Sequence, residues 1–465
     1  MEYLSRTLQQ SSKKKDFKFH PGCRALKLTH LMFADDLLLF CKADPATLQE
    51  IMNALHHFHE VTGLQVNMAK SQMVLGGCSE NLKKKCMEIS GFQDSHFPLK
   101  YLGVPLTASR LKKAECEELI ARIRAKVQVW ITRNLPFAAR ARLINTIIFG
   151  MYSYWASIFL LPNEIITKLT QISRSFLWSA SKEHKRPPHI SWYNTCLPKN
   201  QGGLGLKDYG CWNKALIAKL VWDVATKKDK LWVKWIHEKY IKGRAWGDYY
   251  PPNDSGWHWK KLCYIKELFK EGNHPQNSWQ WQGKPKYSVR SGYRWLMGDQ
   301  SKQKWTRIPW ARPVIPRQAF ILWLALNHRL PTKVYLNRHI QQPDMVCALC
   351  KEKEEDDQHL FLTCAYAKEI WTGIKRKWDM PMQGDWSSLS KKLLSIKCKA
   401  KSHITYAYFA AGIYFIWRAR NSTIFQQNMW PSTKVIGEIL YQIRTRILYL
   451  HSINGKYSAY IDYIV

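Results

Sequence analysis

Cys347-Ala348-Leu349-Cys350, followed by His359 and Cys364, spells C-x2-C-x8-H-x4-C. Three thiolates and one imidazole make a closed tetrahedral donor set of the kind that suits structural Zn²⁺. A chain that uses it must fold back on itself between residues 347 and 364. With all four positions supplied by protein, no coordination site is left for a water nucleophile, so the metal is assigned a structural role. The run Glu352, Glu354, Glu355, Asp356 and Asp357 lies between ligands. It reads either as a second metal site or as a solvated loop of the knuckle. The scattered cysteines, Cys23, Cys41, Cys78, Cys86, Cys116, Cys196, Cys211, Cys263 and Cys398, read as packed or surface thiols. Residues 1–15 are polar and carry no apolar signal core, so a secreted, disulfide-linked protein is not expected.

A second constellation is Leu28-Thr29-His30-Leu31-Met32-Phe33-Ala34-Asp35-Asp36-Leu37-Leu38-Leu39-Phe40. Two adjacent carboxylates sit between apolar arms, each of buried-strand length, which predicts a hairpin with an acidic tip. Such a tip is either a solvated tight turn or part of a site for paired metal ions in phosphoryl transfer.

The chain of 465 residues has 71 Lys plus Arg against 35 Asp plus Glu, a net charge of +36. That balance points to a polyanionic partner, and the interleaving of basic residues with 22 Trp and 22 Tyr favours nucleic acid over a membrane surface. For any single tryptophan, burial in a core is the simpler reading. The longest uncharged run, Leu143 to Asn163, is broken by polar residues and Pro162, and predicts a buried helix pair rather than a span.

Along the chain, Asp44-Pro45 has the form of a helix start. Leu48, Ile51, Met52, Leu55 and Phe58 then make a helical stripe ending at Gly63. Leu119, Ile120, Ile123, Val127 and Trp130 keep the same period among Lys112, Arg122, Arg124 and Lys126. A basic amphipathic helix of this type either holds a duplex or simply presents a solvated face. Helix continues to about Trp178, and Lys182 to Pro188 reads as a boundary. Gly202-Gly203-Leu204-Gly205 lacks the Lys-Ser/Thr of a phosphate loop and reads as a turn, after which Asn213 is placed as a helix cap. Ile404 to Trp417 is an aromatic helical run closed by Arg418 and Arg420. Beyond residue 400 the side-chain carboxylates are Glu438 and Asp462, too few for a two-metal nuclease site.

Phe33-Ala34-Asp35-Asp36 in its apolar frame resembles the palm-domain catalytic hairpin of LINE-type (non-LTR) retrotransposon reverse transcriptases. Gly63-Leu64-Gln65-Val66-Asn67 with Lys70-Ser71 is similar to the next palm motif of that family. Lys100-Tyr101-Leu102-Gly103-Val104-Pro105-Leu106 is similar to its primer-grip turn. Tyr287 to Tyr293, Trp310, Pro316 to Phe320, Trp323 to Ala325, Arg329 to Thr332 and His359-Leu360-Phe361 resemble the zinc-binding domain that follows plant reverse transcriptases of this type.

The resemblance implies an α+β chain laid out as a partial palm (1–106), a helical thumb-like region (107–180) and a tryptophan-rich connection (181–285). A zinc-binding domain (286–375) and a helical C-terminal tail (376–465) follow. It implies Asp35 and Asp36 as metal-ligand positions and Lys70 as a triphosphate contact or proton donor. Mg²⁺ would be a cofactor only if the palm is completed. RNA template, DNA primer or their hybrid are the implied partners, and the nucleus the implied location. In the family the first catalytic carboxylate and the glycine-rich template motif precede the segment matching Glu2 to Arg6. The expectation is therefore a catalytically incomplete polymerase fragment, with a non-catalytic zinc-stabilised nucleic-acid-binding protein or a non-functional relic of an element as the alternatives.

Overall fold

A computed structural model describes the chain except for residues 108, 134, 180–187, 271–272, 275–279, 299, 339–340, 342–343, 456, 458–459 and 461–465. The expected boundary at 182–188 and Asp462 thus fall wholly or mainly outside the described residues. The fold is α+β and mostly helical, with four separate two-stranded sheets among the described residues. The chain forms two compact units, each assembled from non-contiguous segments.

The first unit comprises residues 1–117, 155–162 and 212–296. Helix α1 (Glu2–Ser11) packs on helix α2 (Pro45–Thr62) through Leu4, Leu8, Ile51, Ala54, Leu55 and Phe58. The start of α2 follows its sequence signal: the Asp44 carboxylate accepts from Thr47 N–H at 3.1 Å, Pro45 opens the helix, and Gly63 ends it at φ +73°.

Against this pair lies an antiparallel hairpin of β1 (His30–Phe33) and β2 (Asp36–Leu39). The arms are half-buried rather than buried, with Leu31 39% and Phe33 59% exposed. The face carrying Met32, Leu37 and Leu39 packs against the core of α1 and α2, while Leu31 and Phe33 lie on the opposite face of the pleat. A second antiparallel hairpin, β5 (Leu99–Tyr101) with β6 (Val104–Leu106), follows a short parallel pair, β3 (Gln72–Met73) with β4 (Gln93–Asp94). Its two-residue turn, Leu102-Gly103, has φ +48° and +78°, the doubly left-handed backbone that matches strand twist.

A second core in this unit is built from Trp222, Trp246, Trp259, Trp281, Tyr249 and Tyr287 with their aliphatic neighbours. These tryptophans are core residues, as the simpler reading has it. The helix Tyr209–Ala225 begins before Asn213, contrary to the expected cap. Asp208 takes the capping role by accepting from Cys211 N–H at 2.8 Å. Asn213, 2% exposed, instead accepts from Leu161 N–H and donates to the carbonyls of Ala156 and Phe159.

The second unit comprises residues 118–154, 163–211 and 297–465. The helix Lys399–Gln426 runs through its middle, buried from Ile404 to Ile413 without interruption. A helix apolar all round must be enclosed by others. It is packed by Pro316–Leu326, Ala365–Lys375, Trp386–Leu394 and Ser432–Asn454. Gly412 allows the closest approach: a Cβ there would lie 2.1 Å from the Trp371 ring. The uncharged run 143–163 is split among a short helix, a π turn and Phe149–Ala156, and no helix of the described residues is long and apolar enough to cross a membrane.

Candidate metal centre and acidic hairpin

The knuckle is held first by its own backbone. Cys347 N–H donates to Lys353 O at 2.7 Å, Lys351 N–H donates to Cys347 O at 2.9 Å, and Lys351 sits at φ +59°. Across the loop, Val346 bridges Glu354 in antiparallel fashion. His359 opens a π turn (His359–Thr363), and Cys364 then stands immediately before the helix Ala365–Lys375. These elements bring the donor atoms of Cys347, Cys350, His359 and Cys364 within 4.8 Å of one another. Among the described residues no other group of three or more His, Cys, Asp or Glu does so.

The thiols and the imidazole perturb one another's protonation. Cys364 is drawn below the ordinary thiol range by the hydrogen bond from Cys347 and then by the N–H groups of Ala367 and Tyr366, against the effect of burial. The Cys347 thiol is pushed up by that same hydrogen bond and by burial. Burial lowers His359, favouring the neutral imidazole that ligates metals. His359 Nε2 lies 3.1 Å from Cys350 Sγ, while Nδ1 is 3.4 Å from the Thr363 hydroxyl, which sets the ring's orientation from outside the cluster.

The acidic run resolves into separate roles: among the described residues its carboxylates do not join in a further group of three donors, and it is not uniformly solvated. Glu352 and Glu354 are exposed. Glu355 has no exposed surface and is paired with Arg420, whose Nη2 and Nε donate to Oε1 at 2.6 and 3.1 Å. Its carboxylate also accepts from Ala348 N–H at 3.3 Å, inside the Cys-x2-Cys turn, and from Lys333 N–H at 3.1 Å. Asp356 accepts from His359 N–H at 2.5 Å, and Asp357 pairs with His328, raising that imidazole. The loop is thus fastened to the central helix by a buried ion pair. Arg420 is an anchor of the metal-site loop that spacing alone does not reveal. The available signal is a cation inside a buried apolar helix, which demands a buried anion somewhere else.

At the other candidate site, the register Phe33↔Asp36 leaves Ala34-Asp35 as a two-residue turn, with Asp36 the first residue of β2. Both carboxylates are exposed. Ala34 has φ +53°, a left-handed backbone that disfavours an L side chain by about 1–2 kcal/mol. The Tyr101 phenol of β5 is raised by burial first and by the Asp36 carboxylate second, so the two hairpins share one electrostatic neighbourhood. At the foot of β1, His30 accepts or donates at 2.9 Å with Ser5 of α1 and at 2.8 Å with Thr29. Lys70 lies in an exposed turn whose backbone N–H is held by Asn67. No third metal-ligating side chain joins Asp35 and Asp36 among the described residues.

Residues 1–106, which hold both hairpins, match the family model for reverse transcriptase (RNA-dependent DNA polymerase). Residues 287–371, which hold the four-donor cluster, match the model for zinc-binding in reverse transcriptase. The chain carries two reverse-transcriptase segments. A putative ribonuclease H protein of Arabidopsis thaliana is 23% identical over 70% of this chain. The match spans 66% of that relative's length. An uncharacterized mitochondrial protein of the same plant is 25% identical over 26% of this chain and 78% of its own. Arg420 lies outside both reverse-transcriptase segments, although its guanidinium holds the zinc-binding one.

Proposed function

We propose that this chain is the part of a LINE-type (non-LTR) retroelement polymerase that supplies the metal-ligand hairpin of the palm and a zinc-stabilised region handling nucleic acid. The observation that carries the reading is the acidic turn Ala34-Asp35-Asp36 in the reverse-transcriptase segment. Asp35 and Asp36 would hold Mg²⁺, which stabilises developing charge on phosphate oxygens in phosphoryl transfer. Lys70 would contact the triphosphate or donate a proton. Tyr101 and its turn would position the primer. Residues 1–106 are assigned as palm, 107–180 as thumb-like, 181–285 as connection, 286–375 as zinc-binding domain and 376–465 as its helical continuation, acting in the nucleus.

Two carboxylates without a third donor support a hairpin that depends on a further carboxylate to complete its metal site. Primer extension by the purified chain with Mg²⁺ or Mn²⁺ is expected to give no synthesis. Template-dependent extension that disappears in Asp35→Ala would show that the chain is a complete catalyst and overturn this part of the reading.

The net charge of +36 favours a second, non-catalytic role as a zinc-stabilised nucleic-acid-binding protein. Affinity driven by phosphate contacts should fall by orders of magnitude between about 50 and 200 mM salt. Affinity that barely changes over that range would count against it.

A further inference from the structure

In the second unit, cations and aromatic rings alternate across three helices. Lys434 lies 5.3 Å from the Trp430 ring centre and Arg418 5.0 Å from the same ring. Arg418 and Arg317 flank Tyr414 at 5.9 and 5.5 Å. Arg317 in turn donates to Gln442 Oε1 at 3.2 Å. There the ribbon opens into a groove of about 420 Å³ lined by Arg317, Gln442, Tyr441, Arg446 and Tyr449, with no carboxylate in its wall. Tyr441 is 67% and Tyr449 57% exposed, and Arg446 lies 5.7 Å from the Tyr449 ring.

Two features distinguish this surface from an ordinary solvated helix face. Among the described residues, Arg317, Arg418, Lys434 and Arg446 form no ion pair, although other lysines and arginines nearby in sequence do, such as Lys401 with Asp379 and Arg420 with Glu355. Arg446 also keeps a buried Nε with no hydrogen-bond partner. Tyr441 and Tyr449 are eight residues apart on one helix, which places them about 12 Å, or a little over two turns, apart along its axis, and both line the groove. Large rings held out of the core beside guanidinium groups that form no ion pair are platforms for bases whose phosphates meet the cations. A duplex has no free base faces to offer such platforms.

We propose that this groove binds an unpaired nucleic-acid strand, with Tyr441 and Tyr449 stacking bases and Arg317, Arg418, Lys434 and Arg446 meeting phosphates. The site lies outside both reverse-transcriptase segments, and the proposal rests on the nucleic-acid reading given above.

The test is fluorescence anisotropy of the full chain with a labelled oligothymidylate of about 12 nucleotides and with a duplex of the same length. Tyr441→Ala and Tyr449→Ala are each expected to weaken single-strand binding about 10-fold, and the pair about 100-fold, with duplex binding unchanged. Tyr441→Phe with Tyr449→Phe should retain the affinity, since the ring and not the hydroxyl does the stacking. Both positions are exposed, so the fold should survive, and circular dichroism checks it. Full-strength single-strand binding by the double alanine variant overturns the groove assignment alone. So does a double variant that changes only the oligomeric state, which would make the groove a contact between copies of this chain. A wild-type chain that binds neither probe overturns the assignment together with the nucleic-acid reading.

Discussion

Arg420→Leu is expected to destabilise the second unit by about 3–5 kcal/mol, because it strands the Glu355 carboxylate in a site with no solvent access. The effect should reach the metal centre directly, since the same carboxylate holds Ala348 N–H between Cys347 and Cys350. Zinc release to a competing chelator should therefore accelerate along with denaturant unfolding. Adding Glu355→Gln to Arg420→Leu should recover part of the loss: Ala348 and Lys333 bond different carboxylate oxygens, so the single amide oxygen keeps one of the two bonds, but no buried charge remains. A change within about 0.5 kcal/mol of wild type, typical of exposed surface positions, would show that the pair does not fasten the loop.

Metal removal should have a larger but more local effect. Binding of a structural zinc contributes roughly 10–16 kcal/mol in small zinc modules near neutral pH, and much of that is folding free energy. Stripping the chain with a strong chelator, or the double change Cys347→Ser with Cys350→Ser, is expected to abolish amide protection between Cys347 and Cys364. The π turn His359–Thr363 and the start of the helix Ala365–Lys375 should loosen with it, because Cys364 stands at their junction. The core of α1 and α2 belongs to the other unit and should keep its protection. Protection that survives in the knuckle without metal would mean that backbone bonds and the Glu355–Arg420 pair suffice on their own.

Features written in local sequence were legible. Asp44, Pro45 and Gly63 mark both ends of α2, and the Leu28 to Phe40 stretch gives its hairpin. The spacing from Cys347 to Cys364 gives the four-donor cluster. What local pattern cannot convey is partnership at a distance. Glu355 and Arg420 lie 65 residues apart, so the acidic run looked like a solvated loop or metal site until the buried cation supplied its counterpart. Asn213 looked like a cap because its type suits one, yet its amide ties together the carbonyls of Ala156 and Phe159. Segments of the first unit are likewise drawn together by burial of tryptophan and tyrosine rings, which leaves no mark in neighbouring residues. The left-handed Ala34 was hidden for a related reason: nothing in an alanine announces positive φ.

Zinc-edge X-ray absorption on the purified chain, with metal content measured on the same sample, tests the account most directly. It should give about one zinc per chain in a shell of three sulfurs near 2.3 Å and one nitrogen near 2.0–2.1 Å. A folded chain without zinc, or a shell containing oxygen from water, would contradict a closed structural centre built from Cys347, Cys350, His359 and Cys364.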